Sequence, residues 1–324
     1  MTSILDGLLE RGPFAGEGGK TGASFERAVL ADGTNAVVKF VSRDDWMLIV
    51  GGGVSYLNRL WQAKVFDRMP QVIDHAMLAM EPAENGFVLV MRDVSEAVLA
   101  EGRVLSREEN RRVLEAVDRM YREFWGQDLP GCPLYDHFLT FNPFNPTLAA
   151  QLEKLDTPVP GLMRRGWGMF GDVAPPDVAD AMQALLDDPT SLVRELERRP
   201  ATLIHGDLRL HNMGMTKDRV ILLDWEIAGN APPAVEFGWY LIISASRIDA
   251  TREQITDDFR ETSGERFDPT ALELGMISAL LSLGWNKAID ILEHPDPAIR
   301  AQERADLDWW IARVRTALEA WSPV

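Results

Sequence analysis

Cysteine is almost missing from this chain. Cys132 stands alone among 324 residues, which rules out an internal disulfide framework and fits a reducing compartment. Long apolar runs are missing as well. No stretch approaches the roughly 18 consecutive residues that a membrane-spanning helix needs. The opening MTSILDGLLERGPF has neither the basic flank nor the long apolar centre of a secretory signal. Both absences lead us to expect a soluble, cytoplasmic protein. Positive charge is also short: 33 Lys and Arg face 50 Asp and Glu, a formal charge of −17. That balance argues against a basic surface for nucleic-acid phosphates. It suits a small cationic partner drawn to an acidic cleft, and it equally suits a generally acidic, well-solvated exterior.

What is present is more specific. A hydrophobic content of 46% without low-complexity tracts indicates an ordered globular chain, large enough for two lobes. Residues 203–226 read LIHGDLRLHNMGMTKDRVILLDWE. Two short apolar runs, 201–204 and 220–223, each end against a polar block. The first block holds His205, Asp207, Arg209 and Asn212; the second holds Asp224 and Glu226. A turn-like segment with Gly214, Thr216, Lys217 and Asp218 lies between them. This pattern predicts a strand, a loop and a hairpin returning as a second strand, with both strands delivering carboxylates to one end of the same small sheet. Phosphate transfer from a nucleotide needs a carboxylate to accept the acceptor hydroxyl's proton, and oxygen ligands for Mg²⁺. Asp207 can be the first. The Asn212 amide oxygen and the Asp224 carboxylate can be the second.

HGDLRLHN followed by LLDWE resembles the aminoglycoside phosphotransferase and choline kinase superfamily, protein-kinase-like enzymes that act on small molecules. The resemblance implies an α+β, two-lobed fold. A small antiparallel-sheet N-lobe (1–95) would bind nucleotide phosphates, and a larger, mainly helical C-lobe (96–324) would carry the catalytic loop, metal and acceptor sites. It implies Asp207 as the base and Asn212 and Asp224 as Mg²⁺ ligands, with ATP as donor. Glu226 is placed to assist behind the metal and is counted among the acceptor-site candidates. Arg209 stands two residues after Asp207, where protein kinases often place a γ-phosphate-binding lysine, and is the natural cation for the developing charge.

Upstream, residues 16–24 read GEGGKTGAS. A P-loop would need glycine at position 14, where Phe14 stands, and a following helix, where the pattern reads as a strand. The alternative is a glycine loop over nucleotide phosphates, with Gly18, Gly19, Lys20, Thr21 and Gly22 at the matching positions. Lys39, in the strand-like AVVKF after an Asp32-Gly33 turn, matches the phosphate-holding strand lysine; only Lys20 and Lys39 precede residue 64. Its usual partner is missing: no glutamate occurs between Lys39 and Glu81, where kinases place one on the next helix. Asp44, Asp45 and Asp67 remain, and the helix expected after Gly51-Gly52-Gly53 opens with Val54, Ser55, Tyr56 and Asn58. Either an aspartate substitutes, or Lys39 is held otherwise, or the protein is a weak catalyst. Strand-like runs at 77–80 and 86–91 follow, and Met91 and Asp93, at the end of FVLVMRDVS, are the adenine-hinge candidates.

Elsewhere, residues 1–14 carry a short helical pattern, and Ser106 with Glu109 reads as a capping box opening a helix. Residues 126–176 look loop-rich. Helices are expected near 176–186, 189–198, 251–263, 269–293 and 298–321. Glu236 opens another core helix and reads as structural. On the 269–293 helix, Trp285, Asn286 and Asp290 pair an aromatic face with an amide and an acid, as a sugar site would; plain core packing is the simpler account. The expected function is ATP-dependent transfer of the γ-phosphate to a hydroxyl of a small molecule, an amino sugar or aminoglycoside first. The alternatives are a kinase of another sugar or small alcohol, and a nucleotide-binding pseudokinase module. No activation segment of the protein-kinase type follows Glu226, which argues against a protein substrate.

Overall fold

A computed structural model describes residues 3–14, 23–43, 55–140 and 158–321. Its first part is an antiparallel sheet in the order β1-β2-β3-β6-β5, made of β1 (Leu8–Pro13), β2 (Ser24–Leu30), β3 (Asn35–Ser42), β5 (Met77–Ala83) and β6 (Gly86–Arg92). Between β3 and β5 lie α1 (Tyr56–Gln62) and the short β4 (Ile73–Asp74). Alternation places Ala36, Val38, Val88 and Val90 in a small core on one face of the sheet. Val41, Phe87 and Leu89 join the main core on the other.

One expectation needs correction here. The helical pattern of residues 1–14 survives only as a 3₁₀ turn, Ile4–Gly7, capped by Ser3 and Asp6. Leu8–Pro13 is instead an edge strand paired with β2. A helix there would have left the outer N–H and C=O groups of β2 without chain partners.

The helical part runs through β7 (Leu105–Ser106), α2 (Arg107–Phe124), α3 (Leu134–Thr140), α4 (Pro158–Phe170), α5 (Pro176–Asp187) and α6 (Thr190–Glu197). After β8 (Thr202–Ile204), β9 (Met213–Met215), β10 (Val220–Leu222) and β11 (Gly229–Ala231) come α7 (Pro233–Ser244), β12 (Ile248–Asp249), α8 (Arg252–Ser263), α9 (Pro269–Glu293) and α10 (Pro297–Ala320). The capping box at Ser106 forms as expected, its hydroxyl accepting from Glu109 N. Buried α9 is the axis of this lobe, with α4, α7 and α10 packed around it. The expectation of a loop-rich 126–176 is corrected by α3 and α4. Pro158 opens α4 at a position where its missing N–H is no loss. Gly166 lets α4 cross α9 closely: a Cβ there would lie 2.2 Å from Trp285 O.

A second correction concerns the central motif. The hairpin β9–β10 forms, and β10 also pairs in parallel with β4. The strand before Asp207, however, is not in that sheet. β8 pairs with β11 in a separate two-stranded ladder.

Candidate active site

The two ladders meet through His205 at the end of β8. Its Nε2 donates to Leu223 O (2.9 Å) and its Nδ1 accepts from Asp207 N (3.3 Å). Those bonds place the proton on Nε2. The ring is fully buried, and burial lowers its pKa to about 4, so it acts as a neutral staple. It packs 4.5 Å from the Trp225 ring, whose indole donates to Leu222 O (2.8 Å). Trp225 turns into the core, while its neighbours Asp224 and Glu226 both meet Lys39. Asp224 has φ +73°, an unusual conformation for a non-glycine residue and a mark of local strain at a polar site.

Between His205 and Asp207 only glycine fits. Gly206 has φ +85°, and a Cβ there would lie 2.3 Å from Ile227 O. Its N–H donates to Glu236 Oε1 (2.7 Å), while Tyr121 OH donates to Glu236 Oε2 (2.8 Å). Glu236 is thus a brace beneath the loop that carries Asp207. Burial first, and the charge of Asp207 to a smaller degree, raise its pKa to about 7, against the bonds it accepts. The sequence placed Glu236 at a helix start; its contact with the Gly206 amide and the role of Tyr121 appear only in three dimensions.

Asp207 is enclosed, its side chain 15% exposed. Oδ2 accepts from Asn212 Nδ2 (2.9 Å) and faces Arg209 Nη2 (3.1 Å). Oδ1 is buried and makes no hydrogen bond of normal geometry, although the Trp239 indole still favours the charged form. Burial and the neighbouring Asp224 charge outweigh Arg209, Asn212 and Trp239, and the pKa rises to about 6. Arg209 Nε is likewise buried and without a partner. Asn212 spends its Nδ2 on the carbonyl and carboxylate of Asp207, which leaves its amide oxygen for another task.

Lys39 arrives from β3, opposite Leu89 and Phe25 in the sheet. It is only 6% exposed. Its ammonium donates to Asp224 Oδ1 (2.6 Å) and to Glu226 Oε1. Burial acts to discharge Lys39, but the two carboxylates outweigh it and keep the ammonium charged. Burial opposes ionisation of Asp224 too, yet Lys39 holds that carboxyl below its ordinary value. Glu226 is pushed up by burial and then by the Asp224 charge. The structure therefore gathers Lys39, Asp207, Arg209, Asn212, Asp224 and Glu226 into one cluster between sheet and helices.

The other candidates fall elsewhere. Gly18, Gly19, Lys20, Thr21 and Gly22 lie outside the described residues, as do Asp44 and Asp45; Asp67 is exposed. Met91 is half-buried in β6 opposite Val37. The Arg92 and Asp93 amides already donate to Ala76 O and Asn35 O (both 2.9 Å). The segment just beyond is tied to the β9–β10 hairpin, Leu99 N donating to Met213 O and Met215 N to Ala97 O (both 2.9 Å). Trp285, Asn286 and Asp290 sit together on α9. The Trp285 indole donates to Ser282 O (2.9 Å), and Asn286 donates to Asp290.

Among the described residues, no three His, Cys, Asp or Glu side chains form a metal cage. The donor set fits the other pattern for Mg²⁺, in which one carboxylate and one amide oxygen are completed by phosphates. Asp224 and Asn212 offer one oxygen of each kind.

Residues 20–274 match the family model described as the phosphotransferase enzyme family, APH. The chain belongs to this family. No curated protein matches it. Among solved structures, this phosphotransferase is similar to choline kinase LicA from Streptococcus pneumoniae, with 12% identity, 98% of this chain and 95% of that chain covered, and a TM-score of 0.53. It is also similar to a choline/ethanolamine kinase family protein from Mesorhizobium loti (17% identity, 95% and 88% covered, TM-score 0.48). An aminoglycoside phosphotransferase from Streptomyces rimosus, solved with ADP and streptomycin, matches at 15% identity, with 82% and 94% covered and a TM-score of 0.48. The first of these supports the two-lobed fold, an antiparallel-sheet N-lobe on a helical C-lobe. No helix among the described residues is long and apolar enough to cross a membrane.

Proposed function

We propose that this phosphotransferase moves the γ-phosphate of ATP to a hydroxyl of a small molecule, an amino sugar or aminoglycoside first and another sugar or small alcohol second. The observation that carries the reading is the Asp207 carboxylate. One oxygen is fixed by Asn212 and Arg209, and the other is buried without a normal hydrogen bond. A carboxylate so oriented, with its pKa raised to about 6, stays mostly ionised at neutral pH yet is a better base than an ordinary aspartate. It is suited to take the acceptor's proton as the oxygen–phosphorus bond forms and ADP leaves. Arg209, with a spare Nε–H, answers the charge that develops on the phosphoryl oxygens. Lys39 and residues 16–24 hold the donor phosphates, and the lobe boundary falls near residue 95. Asn212 and Asp224 would hold magnesium, which when bound neutralises charge on the transferring phosphates.

The preference for a cationic acceptor rests on the acidic balance of the chain, −17, with three cleft carboxylates (Asp207, Asp224, Glu226) set against Lys39 and Arg209. ADP release measured across amino sugars, aminoglycosides, amino alcohols and neutral sugars tests it. Turnover confined to cationic acceptors is the expected result. Tight Mg-ATP binding with no turnover across the panel would overturn the catalytic reading in favour of a nucleotide-binding module.

A further inference from the structure

No glutamate occurs between Lys39 and Glu81, the stretch in which kinases place the one that holds the strand lysine. The helix that would carry one, α1, does something else. Tyr56, Leu57 and Leu60 are its buried residues, and the Tyr56 hydroxyl donates to Asp136 Oδ2 of α3 (2.7 Å). That helix is therefore docked on the C-lobe by a tyrosine rather than on β3 by a carboxylate. Lys39 is nonetheless a buried cation, and a buried ammonium without a close anion is strongly disfavoured. Among the described residues its anions are Asp224 and Glu226, both from beyond β10.

These two carboxylates are not equivalent. Asp224 is 34% exposed and Glu226 14%. Asp224 is the residue suited to a metal, and a carboxylate engaged by Mg²⁺ has less charge to offer a lysine. Glu226 lies deeper, and it follows Trp225, whose ring is locked against His205 and Phe66. We infer that Glu226 is the positioning residue for Lys39, doing from across the cleft what a helix glutamate does in protein kinases. The inference rests on the phosphotransferase reading above and sharpens it: the site is complete without a glutamate on α1. It also makes lysine placement a property of lobe apposition, because β3 and the segment after β10 belong to different lobes.

The test is a double-mutant cycle on binding of a non-hydrolysable Mg-ATP analogue, measured by titration calorimetry on the full chain. Lys39→Met and Glu226→Gln should each weaken binding by on the order of tenfold, because residues that act as a unit share one loss. The double variant should match Lys39→Met within about twofold. Losses that multiply, or a Glu226→Gln variant that binds like wild type, overturn the inference. The Mg²⁺ concentration needed for half-maximal analogue binding should be the same in Glu226→Gln and wild type; a large rise assigns Glu226 to the metal and also overturns it. If Glu226→Gln fails to fold, Glu226→Met, which removes the charge and keeps the length of the side chain, takes its place in the cycle with the same criteria. A wild-type protein that binds no Mg-nucleotide at all would instead sink the phosphotransferase reading itself. The two failures are thus distinct.

Discussion

Replacing Asp207 by Asn should sharply slow phosphate transfer while making the resting protein more stable at alkaline pH. In the native chain, burial and then the opposing influences of Arg209 and Asp224 leave the Asp207 pKa at about 6, above the ordinary 3.8. A rise of about two units is worth about 3 kcal/mol. The folded state holds this proton more tightly than the unfolded state does. The associated stability is therefore fully present below the unfolded value, declines as pH rises, and is gone above the folded value near 6. Asparagine carries no ionisation cost in the same space. The favourable influence of Arg209 and Asn212 on the charged form is already contained in that pKa. The net gain at pH 8 is about 3 kcal/mol, which for a chain of this size raises Tm by roughly 4 °C. The assay is thermal unfolding of both proteins from pH 4 to pH 8, without metal or nucleotide, beside initial rates of phosphate transfer. The Tm advantage should shrink as pH falls from 6 towards 4, and kcat should fall by about 100- to 10,000-fold. A Tm difference that does not vary with pH would refute the electrostatic reasoning, and wild-type turnover by the folded variant would refute the assignment of the base.

Gly206→Ala should lower both stability and rate. The left-handed backbone alone costs about 1–2 kcal/mol, and the clash with Ile227 O displaces the Asp207 loop, for a kcat loss on the order of 100-fold; urea unfolding and initial rates check it. Glu236→Ala leaves the buried Gly206 amide and Tyr121 hydroxyl without their acceptor and should cost about 2–4 kcal/mol, whereas Tyr121→Phe keeps the Gly206 bond and should cost about 1 kcal/mol. Comparing their urea midpoints decides whether the brace works through the loop. Asn286→Ala should raise KM for the acceptor and leave KM for ATP unchanged; an unchanged acceptor KM would return Asn286, with Trp285 and Asp290, to plain packing on α9.

Much of the candidate site was legible in sequence because its parts lie close along the chain. Asp207, Arg209 and Asn212 span six consecutive positions, and the strands that carry them announce themselves by short apolar runs ending in polar residues. The helices expected at 251–263 and 269–293 were readable from periodicity, and the structure adds the side chains of Thr251 and Asp268 as their caps. Legibility failed where partners are distant. Edge strand Leu8–Pro13 looked helical because Ile4, Leu5, Leu8 and Leu9 fall at helical spacing across its start, and its pairing with β2 could not be seen locally. Helix α4 looked like a loop because proline and glycine are weak helix formers, until close packing on α9 makes Gly166 an asset.

The sequence by itself determined which groups are present for the proposed chemistry: the Asp207 carboxylate, the Asn212 amide, the Asp224 carboxylate, the strand lysine Lys39, and no glutamate between that lysine and Glu81. Only the tertiary structure decided how they are held. His205 joins two separate ladders, Glu236 braces Gly206 from 30 residues away, and Lys39 meets Glu226 from 187 residues away. The physical reason is that identity and short-range spacing are written along the chain. The charge state and orientation of a buried group are set instead by whatever folding brings beside it, whether another charge, a hydrogen-bond donor or nothing at all.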